Sequence, residues 1–188
     1  MRYLFNEKRL INPISLLILM SIAMPIAFNA WSAMLNNFVV EKAAFTGVEI
    51  GILQSLREIP GFLSFTLIFV LLIIKEQTFA VFALALLGLG VCMTGFFPTV
   101  YGLYFTTIVM STGFHYFEAV KQSLSLQWLS KEEAPVILGR LLAVGSLTSL
   151  LVYGCLWVLL EIFKLPYLIN FIIAGGICVF LSFIMYFS

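Results

Sequence analysis

Long apolar stretches follow one another along this chain with only short polar breaks between them. Each is close to the ~20 residues that an α-helix needs to cross a bilayer. Punctuation divides the chain into six expected spans, at about 13–38, 46–74, 78–97, 100–129, 135–161 and 167–187, behind a polar N-terminal tail over 1–12. The breaks are Glu41-Lys42, Lys75-Glu76-Gln77, Pro98-Thr99, the polar loop Ser130-Lys131-Glu132-Glu133-Ala134-Pro135, and Phe163-Lys164-Leu165-Pro166. Thr46 is placed to cap the second helix. The expected fold is all-α, a polytopic membrane bundle of six helices.

Composition agrees with that pattern. Hydrophobic residues make up 62% and charged residues 10%, whereas a soluble domain is about half apolar and a quarter charged. The surplus has no place but lipid, which excludes a soluble enzyme. Ten basic against nine acidic residues leave a formal charge of +1, so no basic field is available to hold nucleic acid. All nine acids are Glu; with no Asp, aspartyl intramembrane proteases and Asp-dependent metal phosphotransfer are excluded. Cys92, Cys155 and Cys178 lie far apart in apolar runs, an odd count without ligand spacing that speaks against a disulfide framework and against zinc. Neither a metal nor a cofactor is expected.

Lys and Arg in short loops set orientation. With the N-terminus cytoplasmic, Arg2, Lys8, Arg9, Lys75 and Lys131 fall inside, with Arg140 near the same face, and only Lys42 and Lys164 fall outside. The chain is therefore expected in the cell membrane as a multi-pass protein with both termini cytoplasmic. The competing reading, a cleaved signal peptide, meets an apolar run longer than the usual ~7–15 residues and finds no clear small-residue cleavage site.

Polar residues inside spans turn toward neighbours or water, and at 100° per residue they sort the helices. Ser21, Pro25, Asn29, Ser32 and Asn36 share one face of the first span. Thr107, Ser111, His115, Glu118, Gln122 and Ser125 form a stripe on the fourth, flanked by Lys121. On the second span Gly47, Gly51, Gln54, Glu58 and Gly61 share a face, with Arg57 alongside, and Gly47 and Gly51 form a GxxxG pair that permits close helix contact. The fifth carries Gly139, Ala143, Ser146, Tyr153 and Gly154, the pattern of a packed interface. The third and sixth hold no charge and are expected to face lipid. Wet, intermediate and dry thus recur every three helices, and a second odd-numbered copy must enter the membrane from the other side, giving an inverted repeat. Gly90-Val91-Cys92 also matches Gly176-Ile177-Cys178.

With these features the chain resembles half of a major facilitator superfamily transporter, over nearly its whole length and by layout. The resemblance implies six helices as two inverted three-helix repeats, with the first helix of each repeat lining a central cavity. The family's Gly-x-x-x-Asp-x-x-Gly-Arg loop between helices two and three is replaced here by Lys75-Glu76-Gln77, and the basic residue early in helix four is absent, His115 and Lys121 lying further down. Full members carry two such halves. A second six-helix bundle is therefore expected as partner, either the C-terminal half of a longer chain or a second copy of this one.

Arg57 and Glu58 lie some ~16 Å along the second helix from Thr46. A charge so deep costs about 2.5–3.5 kcal/mol on insertion scales, and since i and i+1 point about 100° apart, their partners are expected on another helix. The expectation is a buried network of Arg57, Glu58, His115, Glu118 and Lys121 on the cavity wall. In one reading Glu58 or Glu118 couples H+ to transport, His115 relays the proton, and Arg57 or Lys121 draws an anionic group of the solute. In the other these charges neutralise one another and fix packing. Asn29, Gln54, Gln122 and Tyr116 complete the candidate pathway. The expected function is a secondary transporter of a small solute, coupled to protons. Its rivals are a membrane-embedded enzyme, for which no His pair or nucleophile elbow is found, and a non-transporting six-helix scaffold or assembly partner.

Overall fold

The computed structural model describes residues 12–187, and its regular elements are all helical. They are α1 (Pro13–Ala43), α2 (Gly47–Phe62), a 3-10 turn (Leu63–Thr66) leading into α3 (Leu67–Leu71), α4 (Glu76–Thr94), α5 (Val100–Trp128), α6 (Ala134–Trp157) ending in a π turn (Val158–Ile162), and α7 (Tyr167–Tyr186). Four stretches are long and apolar enough to cross a membrane: α1, α4, α6 with its π turn, and α7. The second expected span is interrupted by its 3-10 turn, and the polar stripe of α5 lowers the hydropathy of a helix otherwise long enough, at 29 residues. Of the tail expected over 1–12 only Asn12 is described. Arg2, Lys8 and Arg9, which weigh in the orientation argument, lie outside the described residues.

Local chemistry accounts for the helix ends. Asn12 caps α1 through its side-chain oxygen, which accepts from Ser15 N–H at 2.7 Å, and Pro13 occupies the first turn, where its missing N–H costs nothing. The helix runs five residues past the expected end at 38, and at 1.5 Å per residue its 31 residues reach ~46 Å, longer than the ~30 Å hydrocarbon. Glu41 and Lys42 ride on that extension. It stops where Ala44 turns left-handed (φ 53°) and Phe45 N–H reaches back to Val39 O at 3.1 Å. Thr46 does cap α2, in a capping box with Glu49 that also places Glu49 as the partner of Thr46 N–H at 2.8 Å.

α4 is the centre of the packing, wedged between α5 and α7, while α1 lies against α6 and α7, and α2 against α5. Glycines make the α4 crossings possible. A Cβ built on Gly90 would lie 2.6 Å from Met110 Cα on α5, and one on Gly113 would lie 2.7 Å from Ala83 O on α4. On the other side Gly88 of α4 meets Gly175 of α7, each occupying the space a Cβ of the other would need. Buried Trp31 ties α1 to this centre, its indole N–H donating to Thr94 Oγ1 at 3.1 Å.

Two expectations change here. The charge-free third and sixth spans, α4 and α7, do not simply face lipid. They pack on each other, and 50% and 39% of their apolar windows are buried, against 11% for the α6 stretch. Absence of charge marks these helices as dry, and a dry protein interior satisfies that as well as lipid does. Conversely, part of the small-residue face of α6 meets nothing among the described residues: Gly139 and Gly154 have open space where a Cβ would go, as do Gly47 and Gly51 of the GxxxG pair.

Candidate functional site

A cavity of about 620 Å³ opens between α1, α5 and α6, at mid-span on α1 and α6. Its volume is within the range of small-molecule sites. From α1 it takes Ser21, Pro25, Phe28 and Asn29; from α5 Phe114, Glu118, Lys121, Gln122 and Ser125; from α6 leucines together with Gly145, Ser146 and Ser149. Four of the sequence-derived residues therefore meet there: Asn29, Glu118, Lys121 and Gln122.

Glu118 and Lys121 stand one turn apart on α5, with Lys121 Nζ 3.7 Å from Glu118 Oε1 and 6.0 Å above the Phe117 ring centre. They are the two charged residues of the lining. The Lys121 side chain is 19% exposed and that of Glu118 43%, so the cation is the more sheltered of the two. Glu118 Oε1 is buried and accepts no hydrogen bond from the described residues, the ammonium standing beyond hydrogen-bond range. Opposite, Asn29 Nδ2 donates to Ser149 Oγ at 2.7 Å and Ser149 Oγ donates to Gly145 O at 2.8 Å, joining α1 to α6. Ser21 Oγ is buried without a hydrogen bond. Pro25 lacks the N–H that a helix would aim at Ser21 O. Phe28 and Phe114 stack at 4.1 Å and form an apolar wall.

The remaining candidates gather at a different place, where α5 crosses the second span. Arg57 pairs with its neighbour Glu58, Nε and Nη2 donating to one carboxylate oxygen at 3.0 and 2.7 Å. This corrects the expectation for Arg57, whose long guanidinium reaches the adjacent carboxylate despite the 100° between them, whereas Glu58 also faces another helix. From α5 His115 approaches Glu58, Nε2 lying 3.8 Å from Oε2. Gln54 is half-buried on α2. Tyr116 points away from the cavity, its hydroxyl meeting Thr66 Oγ1 at 2.5 Å and Leu63 O at 3.2 Å. Ser111 Oγ donates to Arg57 O, and a Cβ on Gly61 would lie 2.7 Å from the His115 ring.

The α5 stripe thus serves two ends. Ser111, His115 and Tyr116 brace the second span around Pro60 and the 3-10 turn, where helical bonds are lost. Glu118, Gln122 and Ser125 open onto the cavity. The five-membered network is divided accordingly, Arg57, Glu58 and His115 in one cluster and Glu118 and Lys121 in the other. Ser149, Phe28 and Phe114 were not singled out from sequence. Ser149 lies three residues after Ser146 and was findable by the same periodicity, whereas one Phe among nineteen carries no signal. Among the described residues no three His, Cys or acidic side chains converge as metal ligands. No family model, curated protein or solved structure matches this chain.

Proposed function

We propose that this chain is a six-span bundle of a secondary active transporter, a permease moving a small solute across the cell membrane by alternating access and coupled to protons. In this reading both termini are cytoplasmic and a second six-helix bundle, of a longer chain or a second copy, completes the translocation path. The layout proposed is that of half a major facilitator superfamily transporter, with one repeat of α1, α2–α3 and α4 and an inverted repeat of α5, α6 and α7.

The observation that carries the transporter reading is the mid-span cavity with its charged pair on α5 and its amide on α1, the first helix of each proposed repeat. The packing supports the repeat. Exchanging the two triplets turns the α1–α6 contact into α5–α2 and α1–α7 into α5–α4, and leaves α4–α7 on itself. Contacts at that last crossing are reciprocal: Cys92 Sγ lies 3.7 Å from Ile172 O, and Cys178 Sγ 3.5 Å from Leu84 O. The two cysteines of the Gly-x-Cys match seen in sequence fall at this crossing, whereas Gly90 packs on α5 and Gly176 has open space. The open positions at Gly47 and Gly51 on α2 and at Gly139 and Gly154 on α6 are where a second bundle can approach closely.

Water access tests the reading before any solute is known. In a background with the three cysteines replaced by alanine, Gln122→Cys or Ser146→Cys in native membranes should react with an impermeant maleimide, and Leu151→Cys, on the apolar outer face, should not. Protection of both cavity positions would favour the scaffold reading instead. With a solute in hand, Glu118→Gln should abolish solute-driven pH change in proteoliposomes while the protein still folds; undiminished proton movement would remove Glu118 from the coupling role.

A further inference from the structure

The cavity is electrically balanced in a way that bears on what it can hold. Its lining carries one carboxylate and one ammonium, Glu118 and Lys121, on neighbouring turns of α5. At 3.7 Å they neutralise each other at long range without a hydrogen bond, and Glu118 Oε1 is left buried and unsatisfied. Only Oε1 is buried; the Glu118 side chain as a whole is 43% exposed, and its ion pair stays beyond hydrogen-bond range. A singly charged solute entering this space would satisfy one member and leave an uncompensated charge in a low-dielectric region. A solute bearing both signs satisfies both members and keeps the sum at zero.

The rest of the lining fits the same requirement. Across from α5, α1 presents Ser21, whose buried hydroxyl makes no hydrogen bond and whose carbonyl is deprived of its helical donor by Pro25. Opposite that carbonyl stands Gly145, where a Cβ would be in ordinary contact with it at 3.6 Å, so the missing side chain leaves a methyl-sized gap. With the Glu118 carboxylate these are acceptors for an ammonium, which has three N–H donors. The amides of Asn29 and Gln122 and the Lys121 ammonium are donors for a carboxylate. Between the polar groups the stacked Phe28 and Phe114 rings and the α6 leucines offer a surface for an apolar body.

We propose that this cavity binds a net-neutral zwitterion, an α-amino acid with an apolar side chain, its ammonium taken by Glu118 and Ser21 and its carboxylate by Lys121. The assignment rests on the transporter reading for its role as solute, and on the cavity alone for binding.

The test uses the native full-length protein in lipid nanodiscs and equilibrium binding of three probes of one shape: phenylalanine, the anion 3-phenylpropionate and the cation phenethylamine. Wild type should bind phenylalanine at least tenfold more tightly than either analogue. Glu118→Gln should lose phenylalanine affinity about tenfold and turn its preference to the anion, and Lys121→Gln should turn it to the cation. That crossed exchange is not produced by a role in packing. Equal or tighter binding of a singly charged analogue by wild type, or binding of none of the three, overturns the assignment, and the wild-type comparison decides even where a variant does not fold. Both variants losing all three probes alike also overturns it. Counterflow of labelled phenylalanine in proteoliposomes separates the two levels: binding without counterflow refutes transport and keeps the site, whereas uptake of the anion with a proton keeps transport and refutes the zwitterion.

Discussion

Replacing Gly90 by alanine adds a single methyl group at a crowded helix crossing, between α4 and α5. That methyl would sit 2.5 Å from Met110 N, 2.6 Å from Met110 Cα and 2.8 Å from Met110 Cβ. All three atoms belong to or adjoin the α5 backbone, so no rotamer change relieves the clash. Ordinary carbon contacts lie at about 3.5–4.0 Å, and α4 and α5 must therefore separate locally by roughly 1 Å. Overpacking of this kind costs about 1–3 kcal/mol, offset by up to about 1 kcal/mol from alanine's better helix propensity. Gly176 on α7 is the internal control, because nothing lies within 4 Å of a Cβ built there; Gly176→Ala keeps the propensity gain without the clash. Reversible denaturation in mixed micelles should therefore place Gly90→Ala below wild type and Gly176→Ala at or above it. Adding Gly113→Ala to Gly90→Ala should cost less than the sum of the two, since once the pair has parted the second methyl finds room. Equal stability of Gly90→Ala and Gly176→Ala would refute the close approach of α4 and α5, and with it the placement of α4 at the centre of the bundle.

Further outcomes follow from other contacts. Tyr116→Phe removes the hydroxyl that meets Thr66 Oγ1 and Leu63 O; a loss of about 1 kcal/mol should appear as faster hydrogen exchange confined to 63–66, and unchanged exchange there would show that the turn holds itself. Trp31→Phe deletes the indole donor to Thr94 within a fully buried site, with an expected cost of about 1–3 kcal/mol in the same denaturation assay. Asn29→Leu breaks the α1–α6 bond to Ser149; interhelical bonds in membranes average about 0.6 kcal/mol, so stability should barely move, and a large loss would make Asn29 a structural residue. A lipid-soluble thiol reagent should modify exposed Cys155 first and buried Cys178 last, with mass spectrometry of the peptides reading the order.

The periodicity of the chain determined a good deal without any tertiary information. Apolar runs of bilayer length, capping by Thr46 and breaks at Lys75-Glu76-Gln77 and Pro98-Thr99 are local facts, set by hydrophobic content, caps and proline, so helix positions were legible to within a few residues. The breaks inside spans were less so. Pro60 announces a weakness in the second helix, but whether the chain answers with a kink or a 3-10 turn depends on neighbours such as Tyr116, whose hydroxyl donates to the freed Leu63 carbonyl. Among the candidate residues, the i, i+3 relation of Glu118 and Lys121 was readable because both lie on one helix. Which polar face opens onto a cavity and which braces a neighbour was not, since a stripe records only that its residues share a side. Only the tertiary structure decided that α5 turns Ser111, His115 and Tyr116 toward the second span and Glu118, Lys121 and Gln122 toward α1 and α6. The same limit explains α4 and α7: hydropathy measures the aversion of a helix for water, which lipid and a packed protein interior relieve equally, and it took the glycine crossings at Gly88, Gly90, Gly113 and Gly175 to choose the interior.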